Sequence, residues 1–573
     1  MRLQQKNIMQ TLLIIVAVLL TGIILSSVFF RIDLTSDKRY TINDVSKKTI
    51  QQLDDIVYVR VYMDGEMPVE FKKLRQSIKE TLDELRIYGH QNLQYDFINP
   101  ASGNESEREA FFTELISKGI EPFTIQINDD EGGATQRNIF PAAIITYRGK
   151  EKSINFFKYN DRLLPEENIN LAYQNIEFEL ISTIKLLSRK DFPNIAFIEG
   201  HGELDAYETR DLEKELSQFY NIGRIMLDGR VGILDEYKTA IVAKPQKAWS
   251  EDDKLVIDQY IMNGGNVAWF IDEVNVHEDS LANGDFTYAV PNMHNLDDLL
   301  FRYGARINAD LIQDLQCAYI PVNIATVGSQ PNFQPEQWLY HPLLFPNYNN
   351  IITKGTNLVK SQYAGTLDFV GSSKSNVRKT PLLQTSDKVK ITKTPAIISL
   401  SQINDKITDI YFNQSFKTVA AVFEGNFESG FKNRILSKYN NGNPFDFTAE
   451  SKHVKMFIAS DGDIIRNDIV RRANRIEILP LGYDRYMKRT FGNKDFVRNI
   501  ILYLTGDSEL LEIRSHDISL RLLDKEMLVL NRNRIILINT LIPPLIIIIF
   551  GIIFTAVRKR INAQKKLNNK RIL

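Results

Sequence analysis

A four-residue turn, Gly200-His201-Gly202-Glu203, is the first candidate for chemistry in this sequence. It follows an apolar stretch at residues 194–199 that predicts a strand, and it precedes a predicted helix at residues 206–219. Backbone N–H groups in such a turn can bind an anion, and His201 or Glu203 can bind a ligand or transfer a proton. A tight strand-to-helix turn without a ligand has the same pattern, so both interpretations stay open at this point.

A second candidate follows the apolar stretch at residues 455–459, where Asp461 and Asp463 flank Gly462. Two carboxylates in this arrangement can bind a hard cation. The segment lacks the terminal glutamate of a calcium-binding loop, and the alternative is a polar turn that caps the next helix. If this stretch joins the same sheet as residues 194–199, both candidates lie at one sheet edge. The candidate ligand-binding residues are therefore Gly200, His201, Gly202, Glu203, Asp461 and Asp463.

Several classes of site are excluded by motifs that the sequence lacks. There is no G-x-x-x-x-G-K-[ST] loop, no H-E-x-x-H and no G-x-S-x-G, and no two of the seven histidines lie within four residues. The single cysteine, Cys317, excludes a disulfide framework, a redox pair and a cysteine-based zinc cluster. A nucleophile like that of class I amidotransferases is one interpretation of Cys317, and a small buried residue is the other. The sequence indicates no catalytic residue, metal or cofactor.

The elements that would position these residues predict an α/β fold in two units. Residues 31–190 show a β-α-β-α-β-β order, thioredoxin-like in outline, and residues 191–305 alternate strands and helices as in a doubly wound, Rossmann- or amidotransferase-like sheet. Residues 306–450 are β-rich and predict an insertion. The chain then returns to the α/β unit at residues 451–534, which also lead to the membrane.

Two long uncharged segments predict membrane spans, at residues 9–30 and 535–557. A cleaved signal peptide is the alternative for the first. The tail at residues 558–573 carries seven basic residues and no acidic one, and residues 1–8 carry two basic residues, Arg2 and Lys6. The positive-inside rule therefore predicts that both ends of the chain are cytoplasmic. The large central region is then extracytoplasmic, in the bacterial inner membrane. Net charge is −1, which gives no case for nucleic-acid binding.

Small and polar residues within the two predicted spans indicate contact with a partner helix rather than lipid alone. Gly22 and Ser26 are four residues apart, as are Gly551 and Thr555, and such pairs let helices approach closely. Asn539 is a polar group at membrane depth that would prefer a hydrogen-bonding partner. Simple anchoring in the lipid bilayer needs none of these features.

Several longer motifs resemble GldG, the gliding-motility-associated ABC-transporter auxiliary family. The resemblance covers both spans and most of the chain between them. Its motifs are F-R-I-D-L-T at residues 30–35 with K-R-Y-T at 38–41, F-P-A at 140–142, I-A-F-I-E-G-H-G-E at 195–203, P-L-L-Q-T-S at 381–386, D-G-D-I-I-R-N-D at 461–468, P-L-G-Y-D-R at 480–485, F-G-N-K-D-F at 491–496, and residues 514–524.

The resemblance implies a polytopic permease and a cytoplasmic ATPase as partners, in an ABC-type complex needed for gliding motility. It supplies no catalytic residue, and the customary label of substrate-binding protein rests on association. The leading hypothesis is a non-enzymatic, membrane-anchored accessory subunit. The alternatives are an anchored enzyme with an amidotransferase-like or hydrolase-like domain, with His201, Glu203 and Asp461 at its site, and a purely structural link to envelope machinery.

Overall fold

The computed structural model describes residues 42–128, 134–157, 165–189, 191–278, 280–281, 284, 286–323, 332–371, 377–404, 411–442, 444–472, 475–487, 489–513 and 532–570. The chain divides into two compact units, residues 1–518 and 519–573. The first predicted span, residues 9–30, lies outside the described residues, as do Gly22, Ser26 and the F-R-I-D-L-T motif.

The N-terminal part of the first unit is a small α/β domain around a four-stranded sheet of order β2-β1-β5-β6. β1 and β2 are parallel, whereas β5 is antiparallel to both β1 and β6. The elements are α1 (Asp44–Gln51), β1 (Val57–Val61), α2 (Val69–Gly89), β2 (Leu93–Phe97), α3 (Glu105–Ser117), β3 (Phe123–Asn128), β4 (Ala134–Ile139), β5 (Ala142–Tyr147), β6 (Lys150–Asn155) and α4 (Pro165–Ser188).

One strand of this domain differs from the sequence interpretation. The sequence suggests one continuous run at residues 139–147, but the structure divides it between β4, which pairs with β3, and β5, which joins the central sheet. Pro141 lies at the break and has no N–H to donate to a neighbouring strand. The proline therefore separates a hairpin from the sheet.

The main sheet of the first unit contains ten strands. Five of them run parallel, and their order across the sheet is β8 (Asn221–Met226), β7 (Asn194–Glu199), β9 (Thr239–Ala243), β10 (Asn266–Phe270) and β23 (Val454–Ala459). In chain order, the elements of residues 194–303 are β7 (Asn194–Glu199), α5 (Arg210–Leu216), β8 (Asn221–Met226), β9 (Thr239–Ala243), α6 (Glu251–Met262), β10 (Asn266–Phe270), β11 (Val274–Val276), β12 (Phe286–Pro291) and α7 (Asp297–Tyr303).

Helices cover both faces of the parallel strands. Trp269 and Ile198 pack with α6 and α7 in one buried cluster, whereas Phe457 of β23 (Val454–Ala459) faces the other side. There its ring contacts Phe496 of α8 (Asn493–Thr505), with 5.7 Å between centroids. The strands are apolar on both faces because both faces are covered. The prediction of a mixed α/β fold is confirmed.

The predicted helix at residues 206–219 is shorter in the structure, since α5 begins only at Arg210. The Asp205 carboxylate accepts hydrogen bonds from the backbone N–H groups of Tyr207 and Glu208, at 2.8 and 2.9 Å. This local side-chain-to-backbone turn competes with the helix and delays its start.

The β-rich segment after residue 305 extends the main sheet. Antiparallel strands continue from β23 through β22, β19 and β16 to β15. Other strands form small sheets beside it. The strands are β13 (Ala305–Ile307), β14 (Asp310–Asp314), β15 (Cys317–Asn323), β16 (Phe333–Pro346), β17 (Val359–Lys360), β18 (Leu367–Phe369), β19 (Arg378–Gln384), β20 (Val389–Lys393), β21 (Ala396–Ser399) and β22 (Thr418–Gly425).

Short elements follow β23 and end the described part of the first unit. They are β24 (Ile469–Arg472), β25 (Arg475–Ile478), β26 (Tyr483–Asp484), β27 (Arg489–Thr490), α8 and α9 (Ser508–Glu512).

The second unit is described over one helix, α10 (Arg532–Lys570). Its segment Ile536–Arg560 is long and apolar enough to cross a membrane, and none of it is buried in protein. This helix contains the second predicted span, and it includes Pro543 and Pro544.

Candidate functional site

The two sequence candidates meet at one edge of the main sheet. Gly200 follows β7, Lys244 follows β9, Asp272 follows β10 and Asp461 follows β23, and all four strands run parallel. The chain direction across the sheet reverses between β7 and β9, because β8 lies on one side of β7 and β9 on the other. Open parallel sheets bind ligands outside the carboxyl ends of the strands at such a switch point.

The turn after β7 is held rigidly by backbone hydrogen bonds. The His201 carbonyl accepts from the N–H groups of Gln246 and Lys247, at 2.9 and 2.8 Å. Gly202 has φ of +76°, and a Cβ there would lie 3.2 Å from Cβ of Gln246. The left-handed backbone and the close neighbour both favour glycine at this position.

His201 is held between two carboxylates and does not line the cavity at this edge. Its Nδ1 lies 3.2 Å from Glu203 Oε1 and its Nε2 lies 3.1 Å from Asp253 Oδ2. Its ring stacks on Trp249 with 4.3 Å between centroids. Burial disfavours the imidazolium, but the hydrogen bonds with Asp253 and Glu203 outweigh burial and raise the pKa of His201 to about 9. Both ring nitrogens are thus engaged, which leaves no free base.

The acidic motif after β23 contains two different carboxyl groups. That of Asp461 is protonated at neutral pH, and that of Asp463 is ionised and paired with cations. Burial, reinforced by the charges of Asp463 and Asp272, raises the pKa of Asp461 to about 8. Its oxygens accept hydrogen bonds from the N–H groups of Gln362 and Asp463, at 2.9 and 2.7 Å. Asp461 therefore shapes the turn, whereas Asp463 carries charge into the site.

Lys244 occupies the position that a cation would take among these acids. Its Nζ lies 2.9 Å from Asp272 Oδ2 and 2.6 Å from Asp463 Oδ2. Asp272, Asp461 and Asp463 bring one carboxylate oxygen each within 4.8 Å of one another, a spacing that suits a metal ion. Burial opposes the ammonium, but the two aspartates raise the pKa of Lys244, so the lysine itself neutralises the cluster.

A polar cavity of about 370 Å³ opens in front of this cluster, and we call it the edge cavity. Its volume is in the range of small-molecule sites. Its charged side chains are two cations and four acids. They are Lys244, Arg466, Glu208, Asp272, Glu278 and Asp463.

Glu278, like Glu208, has no lysine or arginine within 4 Å among the described residues, whereas Asp272 and Asp463 are paired. Burial raises the pKa of Glu278 to about 7. Its Oε2 lies 3.7 Å from Nε2 of His341, beyond hydrogen-bonding distance. Burial, with the charge of Lys360, lowers the pKa of His341 to about 3, so the imidazole is neutral and cannot compensate the carboxylate.

Two of the six residues proposed from the sequence, Gly202 and Asp463, line the edge cavity. Gly200, His201, Glu203 and Asp461 do not line it. Sequence reasoning missed Lys244, Glu278 and Arg466. Lys244 could have been predicted as a site residue, because it directly follows an apolar strand that ends at the same sheet edge. The local sequence around Glu278 contains no comparable pattern.

Other candidates are accounted for by their surroundings. Cys317 lies on β15 and is 2% exposed, as the small-buried-residue interpretation expects. Glu273, His294 and Asp297 have the spacing of a metal site, but His294 Nε2 is 2.8 Å from Glu273 and its Nδ1 accepts from the Leu296 N–H at 3.1 Å. Both nitrogens of His294 therefore have partners within the protein.

The small and polar residues of the second predicted span lie on the exposed surface of α10. Asn539, Gly551 and Thr555 have no described protein neighbour that buries them. The Thr555 hydroxyl donates to the Gly551 carbonyl of the same helix, at 2.9 Å.

Residues 193–500 match the family described as an ABC-type uncharacterized transport system, and residues 36–146 match a domain of unknown function, DUF7088. An uncharacterized protein of Borreliella burgdorferi is 21% identical over 551 residues, covering 93% of this chain and 95% of its own length. The family match over residues 193–500 indicates an accessory component of an ABC transport system, associated with the transporter complex.

Two solved structures share limited likeness with the chain. The mmIFT52 N-terminal domain has a TM-score of 0.29 and 13% identity, covering 55% of this chain and 97% of that domain. The exo-beta-1,4-mannosidase Op5Man5 from Opitutaceae bacterium strain TAV5 has a TM-score of 0.18 and 10% identity, covering 68% of this chain and 46% of the mannosidase.

Proposed function

The chain belongs to the ABC-type uncharacterized transport system family, and we propose that it is the membrane-anchored accessory subunit of an ABC transport complex required for gliding motility. The family match over residues 193–500 is the observation that carries this proposal. The link to gliding motility rests on the GldG-like motifs, including I-A-F-I-E-G-H-G-E at residues 195–203.

In this proposal the protein crosses the bacterial inner membrane twice, with both ends cytoplasmic and the large unit in the periplasm. The apolar helix Ile536–Arg560 supports one crossing, and the basic residues that follow it support a cytoplasmic C-terminus. The second crossing rests on the uncharged segment at residues 9–30.

The partners in this proposal are a polytopic permease, contacted within the bilayer, and a cytoplasmic ATPase. A separate ATPase is needed because the sequence has no phosphate-binding G-x-x-x-x-G-K-[ST] loop of its own. The exposed small and polar residues of α10, namely Asn539, Gly551 and Thr555, would contact the permease.

The large unit would recognise a ligand at the edge cavity and not transform it. The cavity lies at the switch point of the parallel sheet, where binding sites of this architecture occur. No serine, threonine or cysteine is among the described residues that line it, so a serine-hydrolase or cysteine-amidotransferase nucleophile has no candidate there. This observation favours the accessory role over the anchored enzyme.

Purification of the tagged full-length chain from its own membrane in mild detergent tests the proposal. We expect mass spectrometry to identify a permease and a P-loop ATPase in stoichiometric amounts. A tagged chain lacking residues 532–573 is the control and should recover neither protein. Recovery of the intact chain without any ABC subunit would contradict the proposal. Loss of colony spreading on deletion of the gene, restored by the intact chain, tests the gliding role.

A further inference from the structure

The edge cavity carries more negative charge than its own cations neutralise. Lys244 and Arg466 are already engaged, because Lys244 pairs with Asp272 and Asp463. Arg466 Nε lies 2.9 Å from Asp463 Oδ1. Glu208 and Glu278 therefore remain as excess acids on the cavity wall. A ligand that enters must supply positive charge to balance them.

A buried polar atom behind Glu278 also lacks a partner. His341 is 3% exposed, and its Nε2 has no hydrogen bond among the described residues. That atom is directed at Glu278 Oε2, 3.7 Å away. Buried polar atoms without partners are uncommon in folded proteins and require an explanation. Glu278 thus receives no hydrogen bond from the buried His341 side chain behind it, and it is open to a donor that enters from the cavity.

We propose that the edge cavity binds a small organic cation whose ammonium group pairs with Glu278. The inference rests on the proposed function, since it names the ligand class that the accessory subunit recognises. Tyr363 and Val276 also line the cavity and offer apolar surface to the carbon skeleton of such a ligand.

A metal ion fits this position less well than an organic ammonium group. Among the described residues, two sets of three side chains have metal-ligand spacing, and neither includes Glu278. The set nearest the cavity, Asp272, Asp461 and Asp463, already holds the ammonium group of Lys244. A single carboxylate is enough to pair with an ammonium group, whereas a divalent cation needs several oxygen ligands.

Binding should depend on pH because Glu278 must be ionised. The pKa of about 7 implies that Glu278 takes up a proton as the pH falls below neutrality, which removes its attraction for the ligand. The ionisable groups that face Glu278 are Arg466, Asp463, Lys360, Asp468 and the neutral His341. Asp463 stays ionised beside its two cations. Asp461, with a pKa of about 8, also changes charge near this range but does not line the cavity, so the Glu278→Gln variant identifies the contribution of Glu278.

Thermal unfolding of the full chain in detergent micelles tests the inference with cadaverine, a linear diamine, as the probe. The uncharged diol of the same length is the matched ligand control. We expect cadaverine, but not the diol, to raise the melting temperature at pH 8, and calorimetry to give a matching affinity. At pH 5.5 the affinity should fall.

Glu278→Gln keeps the shape of the side chain and removes its charge. We expect it to weaken cadaverine binding about tenfold or more, as loss of a charge-assisted contact does. Glu109→Gln, at an exposed site on α3, is the control variant and should bind as the native chain does. Glu208→Gln should give a smaller loss.

The inference is overturned if cadaverine and the diol act alike, if neither binds, or if Glu278→Gln binds cadaverine as tightly as the native chain. The permease pull-down separates this result from a failure of the proposed function. A chain that recovers the permease but ignores cadaverine keeps its accessory role and loses only this ligand class.

Discussion

His201 and Asp253 join the turn after β7 to the start of α6, with 3.1 Å between the imidazole Nε2 and the carboxylate Oδ2. Asp253 also accepts hydrogen bonds from the Ser250 hydroxyl and the Gly229 N–H, at 2.7 and 3.0 Å. Ser250 is the N-cap of α6. The histidine therefore completes a network that fixes a helix terminus, and we predict that its role is structural.

Replacing His201 with Ala should destabilise the fold by about 2 kcal/mol at pH 6, because the variant leaves two buried carboxylates without their shared cation. The pKa of about 9 lies above the unfolded value of 6.5. The stabilisation is therefore full below pH 6.5 and disappears as the pH rises through 9. Urea unfolding of both chains between pH 6 and 10 measures the difference.

His453→Ala is the matched control, since His453 is exposed. It should leave the stability unchanged throughout this pH range. We also expect gliding and transport to survive in His201→Ala wherever the variant stays folded. A folded variant that has lost all function would show instead that His201 acts on a ligand.

Lys244→Ala should destabilise the fold by about 3–5 kcal/mol, because it strips the counter-charge from buried Asp272 and Asp463. The emptied cluster then has the spacing of a metal site, so calcium or manganese should restore part of the lost melting temperature. The native chain should respond neither to these ions nor to chelators.

Lys214→Ala, at an exposed position on α5, controls for loss of a lysine elsewhere. Strong stabilisation of the native chain by a divalent ion would contradict the view that Lys244 fills the cluster.

The strands of the main sheet could be predicted from the sequence where burial alone determines their composition. Residues 194–199 are apolar because β7 is covered on both faces, and the observed strand has those bounds. The cluster around Lys244 depends on neighbours distant in sequence. Lys244 itself has φ of +57°, and a Cβ on Gly462 would lie 2.6 Å from its Cβ. This close approach joins the loops that follow β9 and β23, which are distant in sequence, so no local sequence pattern reveals it.

Glu278 was beyond sequence reasoning for the same physical reason. Burial and the charge of Asp463 raise its pKa, whereas the charge of Arg466 opposes them, and both of these residues lie far along the chain. A lone glutamate after a short strand gives no sign of that environment.

Glu278→Gln should stabilise the protein at pH 8 by on the order of 1 kcal/mol. The folded pKa of about 7 exceeds the usual 4.5, so the contribution of Glu278 to stability is present below pH 4.5 and lost as the pH rises through 7. The magnitude is reduced by solvent screening, because 40% of the side chain is exposed. Urea unfolding at pH 8 should favour the variant, and at pH 4.5 the two chains should match. Equal stability of the variant and the native chain at pH 8 would contradict the raised pKa of Glu278.

A membrane-impermeant protease should cut the region between the two predicted spans in spheroplasts and leave the tail at residues 558–573 intact. The basic residues of that tail favour the cytoplasmic side. Immunoblots against tags at the C-terminus and within an exposed loop measure both outcomes, and permeabilised cells provide the control. A protected central region with a cleaved tail would reverse the orientation and remove the periplasmic role.

Asn539→Leu should weaken the binding of α10 to the permease by about 0.6–2 kcal/mol, the range of interhelical hydrogen bonds in membranes. Less permease should then be recovered with the variant. Thr555 already donates its hydroxyl within α10, so Asn539 is the better donor to a partner helix. Gly551→Leu should add to the loss, because the larger side chain holds the two backbones apart without reducing hydrophobicity. Both variants should still insert into the membrane.

Ile549→Leu is the matched control, since Ile549 is 48% exposed on the same helix but lies on the face opposite to Asn539, Gly551 and Thr555. Pull-downs are compared at equal membrane levels of each chain, which separates loss of insertion from loss of binding. Apolar attraction between helices is weak in lipid, so the interaction must come from close packing and polar pairing. Full permease recovery by the Asn539→Leu, Gly551→Leu double variant would mean that α10 contacts only lipid. The interaction would then belong to the large unit, whose surface would become the place to look for the permease.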